Sequence, residues 1–183
     1  MQNLERRSLL NLSMGLVAGG LISGGSLWLL SGLADPLPWG WRMMIAALVG
    51  PALVAREFGV LSFPVPQNAR QVPQAIFARG ALSAALQFGF ELGVGVRTYM
   101  PSSAPYALAV SLVLLSSHAQ EFILGGIGFG LGRAAMPLFR YWSGDGDGWD
   151  ASLHGALGLL TRGATLLCAI GPVLMLIQRP SSG

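Results

Sequence analysis

The stretch Ser8-Leu-Leu-Asn-Leu-Ser-Met-Gly-Leu-Val-Ala-Gly-Gly-Leu-Ile-Ser-Gly-Gly-Ser-Leu-Trp-Leu-Leu30 runs for 23 residues without a charge. As an α-helix it rises about 34 Å, enough to cross the roughly 30 Å hydrocarbon core of a bilayer. Arg6-Arg7 precede it and Ser31-Gly-Leu-Ala-Asp-Pro36 follows. The pentapeptide Arg6-Arg7-Ser8-Leu9-Leu10 looks like a twin-arginine export signal, and Gly32-Leu33-Ala34 has the small residues of a cleavage site. The apolar run is long for a signal core, and further spans follow, so the first helix is expected to be retained.

The rest of the chain has the same solvent. Of 183 residues, 52% are hydrophobic and only 10% charged, whereas soluble domains carry about 25% charged residues. Mean hydropathy is +0.58. The expected fold is all-α, a polytopic transmembrane helix bundle of about five spans forming one integral membrane domain over 1–183. The 26 glycines suit close helix contacts in lipid.

Four more apolar segments follow. The second begins at Pro38-Trp-Gly-Trp-Arg42, whose paired tryptophans suit a membrane interface. Its apolar run, 43–55, is short and ends at Arg56-Glu57. A span here either lets Arg56 snorkel to the surface or holds the Arg-Glu pair inside; snorkelling is expected. Pro64, Pro66 and Pro73 then interrupt any helix and mark a loop against the cytoplasmic face. The third span is expected over 76–96 with Arg97-Thr98-Tyr99 at the outer interface, and a short turn follows at 101–105. The fourth is expected over 106–131, long enough to tilt or break near its glycines. The segment 141–150 reads as a flexible acidic loop before a fifth span over 151–177.

Charge sets the orientation. All eleven basic residues are arginines. Arg6, Arg7, Arg56, Arg70, Arg79, Arg133 and Arg140 fall on one side, seven in all, against three on the other, Arg42, Arg97 and Arg179. The positive-inside rule makes the first side cytoplasmic. The expectation is a multi-pass protein of a bacterial inner (cell) membrane, N-terminus in the cytoplasm. The net charge of +3 is topological; no basic patch interleaved with aromatics points to nucleic acid.

Gly15 and Gly19 are four apart, as are Gly89 and Gly93, and each pair offers a surface for close helix approach. With so many glycines, a chance recurrence is a better account of the shared spacing than an internal duplication. Gly126-Ile-Gly-Phe-Gly-Leu-Gly132 has no strand before it, so helix packing fits better than a phosphate cradle. Asp145-Gly-Asp-Gly lacks the later ligands of a calcium loop. A lone Cys168 excludes an intrachain disulfide and a paired-cysteine redox motif. His118 and His154 lie at different depths in their spans, which argues against a shared haem. No cofactor and no metal is expected, and no nucleophile or metal constellation supports an enzyme.

Charges inside spans are costly and face a bundle interior, a cavity or one another. His118, Glu121, Arg162 and Glu91 are therefore the candidate site, for ion pairing or proton coupling. His118 and Glu121 share a helix face at i,i+3. Arg162 is expected at a similar depth on the next helix, in reach of Glu121, and Glu91 near the outer entrance.

Phe88-Gly-Phe-Glu-Leu-Gly-Val-Gly-Val-Arg-Thr-Tyr99 and Gly128-Phe-Gly-Leu-Gly-Arg133 resemble the glycine-rich helices of small bacterial membrane proteins of the cytochrome c biogenesis and DsbD-type group. The likeness covers about a quarter of the chain. It implies a small polytopic bundle. That group's thiol relay needs paired cysteines within the spans, which this chain lacks, so the redox role does not carry over. The expected function is transport-related, a small solute or ion coupled to protons. The alternative is a non-catalytic accessory or assembly subunit of a larger membrane complex. Partners are the lipid bilayer and either a second copy of the chain or a membrane-complex partner.

Overall fold

The computed structural model describes residues 2–65, 80–95, 102–116 and 118–178. They form six helices: α1 Gln2–Ser31, α2 Trp39–Glu57, α3 Ala81–Gly93, α4 Ala104–Leu115, α5 Ala119–Ser143 and α6 Gly146–Gln178. No strand occurs among the described residues, whose regular structure is all helical. Three segments are long and apolar enough to cross a membrane, Asn3–Ser31, Ala119–Ser143 and Gly146–Ile170, and they support a membrane location. The other helices are shorter: α2 has 19 residues and carries Arg42, Arg56 and Glu57, and α3 and α4 have 13 and 12. Arg70, Arg79, Arg97, Thr98, Tyr99 and Arg179, with the loop from Pro66 to Pro73 and Pro101, lie outside the described residues.

Two boundaries differ from expectation. The run 106–131 is two helices, and it breaks before the glycines rather than among them. Ser116 is extended, with φ −85° and ψ 144°, and α5 starts at Ala119. Serine and histidine are weak helix formers that compete for backbone hydrogen bonds. Of the glycines that follow, Gly126 and Gly130 pack against α1, as described below, and that contact offsets their entropic cost in the helix. Likewise, 141–150 is almost entirely helix. Only Gly144 and Asp145 separate α5 from α6. Gly144 takes φ 70°, the left-handed position that ends helices. The Asp145 carboxylate accepts the Gly148 backbone N–H at 3.0 Å, capping the start of α6. Arg140 then clasps Asp150 with three N–O distances of 3.0 to 3.2 Å.

The chain divides into two compact units. The first comprises Met1–Gly25, Pro66–Met100 and Ile123–Gly155, and its centre is α1, which is packed on two sides through glycine. On one side Gly15 and Gly19 meet Gly89 and Gly93 of α3. A Cβ on Gly15 would sit 2.7 Å from the Phe90 nitrogen, and one on Gly93 would sit 3.0 Å from the Gly19 Cα. On the other side Gly20 and Gly24 meet Gly126 of α5, while a Cβ on Gly130 would sit 2.8 Å from the Val17 Cα. Such separations are below van der Waals contact and leave no room for any side chain at these positions. Polar links fix the register: Asn11 donates to the Leu82 carbonyl at 3.2 Å and Ser23 to the Val94 carbonyl at 2.7 Å. In lipid, where the hydrophobic effect does not drive helices together, such close contact and interhelical hydrogen bonding supply the attraction.

The second unit comprises Ser26–Val65, Pro101–Phe122 and Ala156–Gly183. It holds α2, α4 and the later part of α6. Leu53, Val65 and Ala107 form its core, with Val49, Tyr106, Cys168 and Ala169 against them. Ser111 donates to the Cys168 carbonyl at 3.3 Å, tying α4 to α6. At the start of α2, Arg42 donates to the Ala34 carbonyl at 2.8 Å and to Asp35 at 2.7 Å. Trp39 and Trp41 beside it are 50% and 58% exposed, consistent with an interfacial position.

Candidate functional site

Two of the four expected residues stand together. His118 lies in the break between α4 and α5, and its Nδ1 is 3.6 Å from Glu121 Oε1. The His118 side chain is 69% exposed and that of Glu121 32%. Glu121 occupies the first turn of α5, where the positive end of the helix dipole favours a carboxylate. Its backbone N–H donates to the His118 carbonyl at 3.0 Å. The helix break thus moves both groups from the mid-helix position expected of them to a helix start.

Arg162 has a different neighbour. It is exposed on α6, and its guanidinium carbon sits 5.3 Å from the centroid of the Phe58 ring at the end of α2, within cation–π range. Glu91 lies on α3, partly buried, in the first compact unit. His118, Glu121 and Arg162 belong to the second.

Among the described residues, a dense polar arrangement lies where α2 ends and α4 begins, at residues other than the four expected. α2 closes with a Schellman motif: Val60 N–H donates to the Ala55 carbonyl at 2.9 Å and Gly59 N–H to the Arg56 carbonyl at 3.0 Å. Gly59 supplies the required positive φ, 76°. This reversal brings the Phe63 carbonyl back to Arg56, whose Nε donates to it at 2.9 Å. A terminal nitrogen of Arg56 donates to Ser103 Oγ at 2.8 Å. Glu57 Oε2 accepts the Ser103 backbone N–H at 2.7 Å. Ser103 is fully buried, and both its polar groups that precede α4 are satisfied by the adjacent charges of α2.

The arrangement extends into α6. Ser102 Oγ accepts the Ala104 N–H at 3.1 Å and lies 3.4 Å from Thr165 Oγ1. Thr165, also fully buried, donates to the Thr161 carbonyl one turn back at 2.8 Å. Three helices of the unit therefore meet through Arg56, Glu57, Ser102, Ser103 and Thr165. Arg56 and Glu57 are thus both held by protein groups at the end of α2. The physical reason is the start of α4, whose exposed N–H groups need an acceptor that Glu57 supplies. The signal was present in the sequence as adjacent opposite charges closing an apolar run, with Ser102-Ser103 ahead of another. The pairing itself spans 47 residues in one bond and 46 in the other, and no local pattern encodes it. Among the described residues, no group of three or more histidine, cysteine, aspartate or glutamate side chains is placed to hold a metal.

No family model matches the chain, and no solved structure matches it. The chain is similar to the methylamine utilization protein MauF of Methylobacillus flagellatus, 27% identical over 131 residues. That match takes in 69% of this chain and 44% of the relative, so the chain spans less than half the length of the protein it matches.

Proposed function

We infer that this chain is a non-transporting accessory or assembly subunit of a larger membrane protein complex. The observation that carries this reading is how the charges in and beside the apolar segments are used. Arg56 and Glu57 both end on the buried Ser103, and Arg162 lies over Phe58. These charges join one helix to another, as structural polar groups do in membranes. Proton coupling calls for a titratable group with an alternate partner or a wet pathway. His118 and Glu121, the pair that would serve it, contact each other at the start of α5. The similarity to a protein named for methylamine utilization adds support for service to a larger metabolic system.

The topology that accompanies this role is multi-pass in the bacterial cell membrane, N-terminus cytoplasmic, with about five spans. The arginine distribution supports it. α1, α5 and α6 supply three spans by length, and α2, with interfacial tryptophans at one end and the Arg56–Glu57 pair at the other, is a fourth. Its contacts are lipid and either a second copy or another subunit.

The test is to delete the gene in its host and resolve membrane complexes on native gels. An accessory subunit leaves at least one membrane complex absent or smaller, restored by expression of the chain in trans. Proton-dependent solute uptake by the purified chain alone in proteoliposomes would overturn the reading.

A further inference from the structure

Just beyond α2 lies an open pocket of about 380 Å³, lined by Arg56, Glu57, Gly59, Leu61, Ser62 and Phe63. We propose that it holds the headgroup of a zwitterionic phospholipid with a primary ammonium, phosphatidylethanolamine, the phosphate on Arg56 and the ammonium on Glu57. The proposal does not depend on the accessory role.

The lining carries one cation and one anion. A simple anion would meet Glu57, and a simple cation would meet Arg56. The matching ligand carries both signs. Its two charges are close together, because the Arg56 guanidinium and the Glu57 carboxylate are both tied to the same residue, Ser103. Both groups are fixed before any ligand arrives: Arg56 by Phe63 and Ser103, Glu57 by the Ser103 N–H. Fixing charged side chains in advance removes much of the ordering cost of binding. A guanidinium has five N–H donors and a carboxylate two oxygens. The Phe63 and Ser103 bonds occupy two of the donors, and the Ser103 N–H occupies one oxygen. The remaining donors suit phosphate oxygens. The second carboxylate oxygen, with the Ser62 hydroxyl at the same pocket, suits a primary ammonium, which donates three hydrogen bonds. A trimethylammonium donates none.

The surroundings identify the source as a lipid. Phe58, Val60, Leu61 and Phe63 flank the charges and are 44%, 77%, 45% and 37% exposed. An apolar surface of this kind beside a charged pocket accepts acyl chains beside a headgroup. Pockets with basic residues next to membrane helices bind lipid headgroups on this principle.

The experiment uses the full chain in phosphatidylcholine nanodiscs, into which phosphatidylethanolamine or phosphatidylglycerol is titrated, with retained lipid read by native mass spectrometry. Phosphatidylethanolamine should be retained at least about tenfold over either other lipid, the size of one charge-assisted contact. Glu57→Gln keeps an acceptor for Ser103 and removes the charge, and Ser62→Trp fills the pocket while leaving both charges in place. Each should abolish the preference while the protein still folds, with Glu57→Gln lowering the melting temperature less than Glu57→Ala does. Equal retention of the three headgroups, or a preference that survives Ser62→Trp, overturns the proposal. Equal competition by soluble phosphoethanolamine assigns the pocket to a small zwitterion and overturns the lipid assignment.

Discussion

The backbone N–H of Ser103 donates to the carboxylate of Glu57 at 2.7 Å, across 46 residues of sequence. The same serine receives Arg56 on its hydroxyl at 2.8 Å, so one buried residue neutralises the need of two neighbouring charges and of a helix start. Removing the carboxylate leaves a buried N–H without its acceptor. Glu57→Ala is expected to destabilise the protein by about 1–3 kcal/mol, while Glu57→Gln, which retains an acceptor oxygen, costs less. Thermal melts of the purified variants in one detergent check both the loss and its order.

The helix glycines of the first unit separate into those packed against a neighbouring helix and those that are not. Gly19→Leu and Gly89→Val place side chains where the backbone of the neighbouring helix already stands. Both should sharply reduce folded protein recovered from membranes. Gly128 and Gly132 of α5 have nothing within 4 Å of the position of a Cβ, and Gly128→Ala and Gly132→Ala should be neutral or slightly stabilising, since alanine is the better helix former by about 1 kcal/mol. Size-exclusion profiles of fluorescent fusions distinguish the two groups. Loss of folded protein on Gly128→Ala equal to that on Gly19→Leu would contradict this packing.

Arg162 is placed over Phe58, whereas its position in the sequence pointed to Glu121. A double-mutant cycle separates the two. Phe58→Leu and Arg162→Leu should be non-additive by about 0.5–1 kcal/mol, the usual size of an exposed cation–π contact. Glu121→Gln and Arg162→Leu should be additive within error. Coupling of Arg162 to Glu121 larger than to Phe58 would restore the ion pair between α5 and α6.

His118 is largely exposed and Glu121 about one-third exposed, and solvent-exposed pairs of this kind contribute about 0–1 kcal/mol. His118→Gln is accordingly expected to leave the melting temperature nearly unchanged. If the pair couples protons, a purified, reconstituted chain should carry a proton flux that His118→Gln abolishes; under the accessory role there is no such flux. A pH-sensitive dye trapped in proteoliposomes reads the outcome.

Orientation is tested independently of any function. With the N-terminus cytoplasmic, a reporter active only in the cytoplasm should be active when fused before Met1. The hairpin at Gly144–Asp145 should lie on that same face, because Arg133 and Arg140 precede it in α5. A cysteine introduced at Ser143 should therefore resist an impermeant thiol reagent in intact cells and react after permeabilisation. Labelling in intact cells would reverse the assignment.

Several features were legible in the chain itself because they depend on nearest neighbours and on solvent. The uncharged run from Ser8 to Leu30 dictates a helix in lipid, since an apolar segment there has no other way to satisfy its backbone groups. The four-residue spacing of Gly15 and Gly19, and of Gly89 and Gly93, marked two contact surfaces, because that spacing places residues on one helix face. The spacing of His118 and Glu121 pointed to one helix face; they stand 3.6 Å apart with His118 just ahead of α5 rather than within a helix.

Tertiary structure decided what those surfaces meet and where helices stop. That the two glycine pairs face one another, and that α1 has a second glycine contact with Gly126 and Gly130, depends on how three helices pack, which spacing along one helix does not encode. The break at Ser116 comes ahead of the glycines, and the helix runs on through them because the contacts of Gly126 and Gly130 with α1 outweigh glycine's helix penalty. Above all, Arg56 and Glu57 share one partner, Ser103, 47 and 46 residues away, which brings a hydroxyl and a backbone N–H to them. The charges were visible in the sequence; their partner was not, because a hydrogen bond forms between groups that are close in space, and only the fold brings the end of α2 to the start of α4.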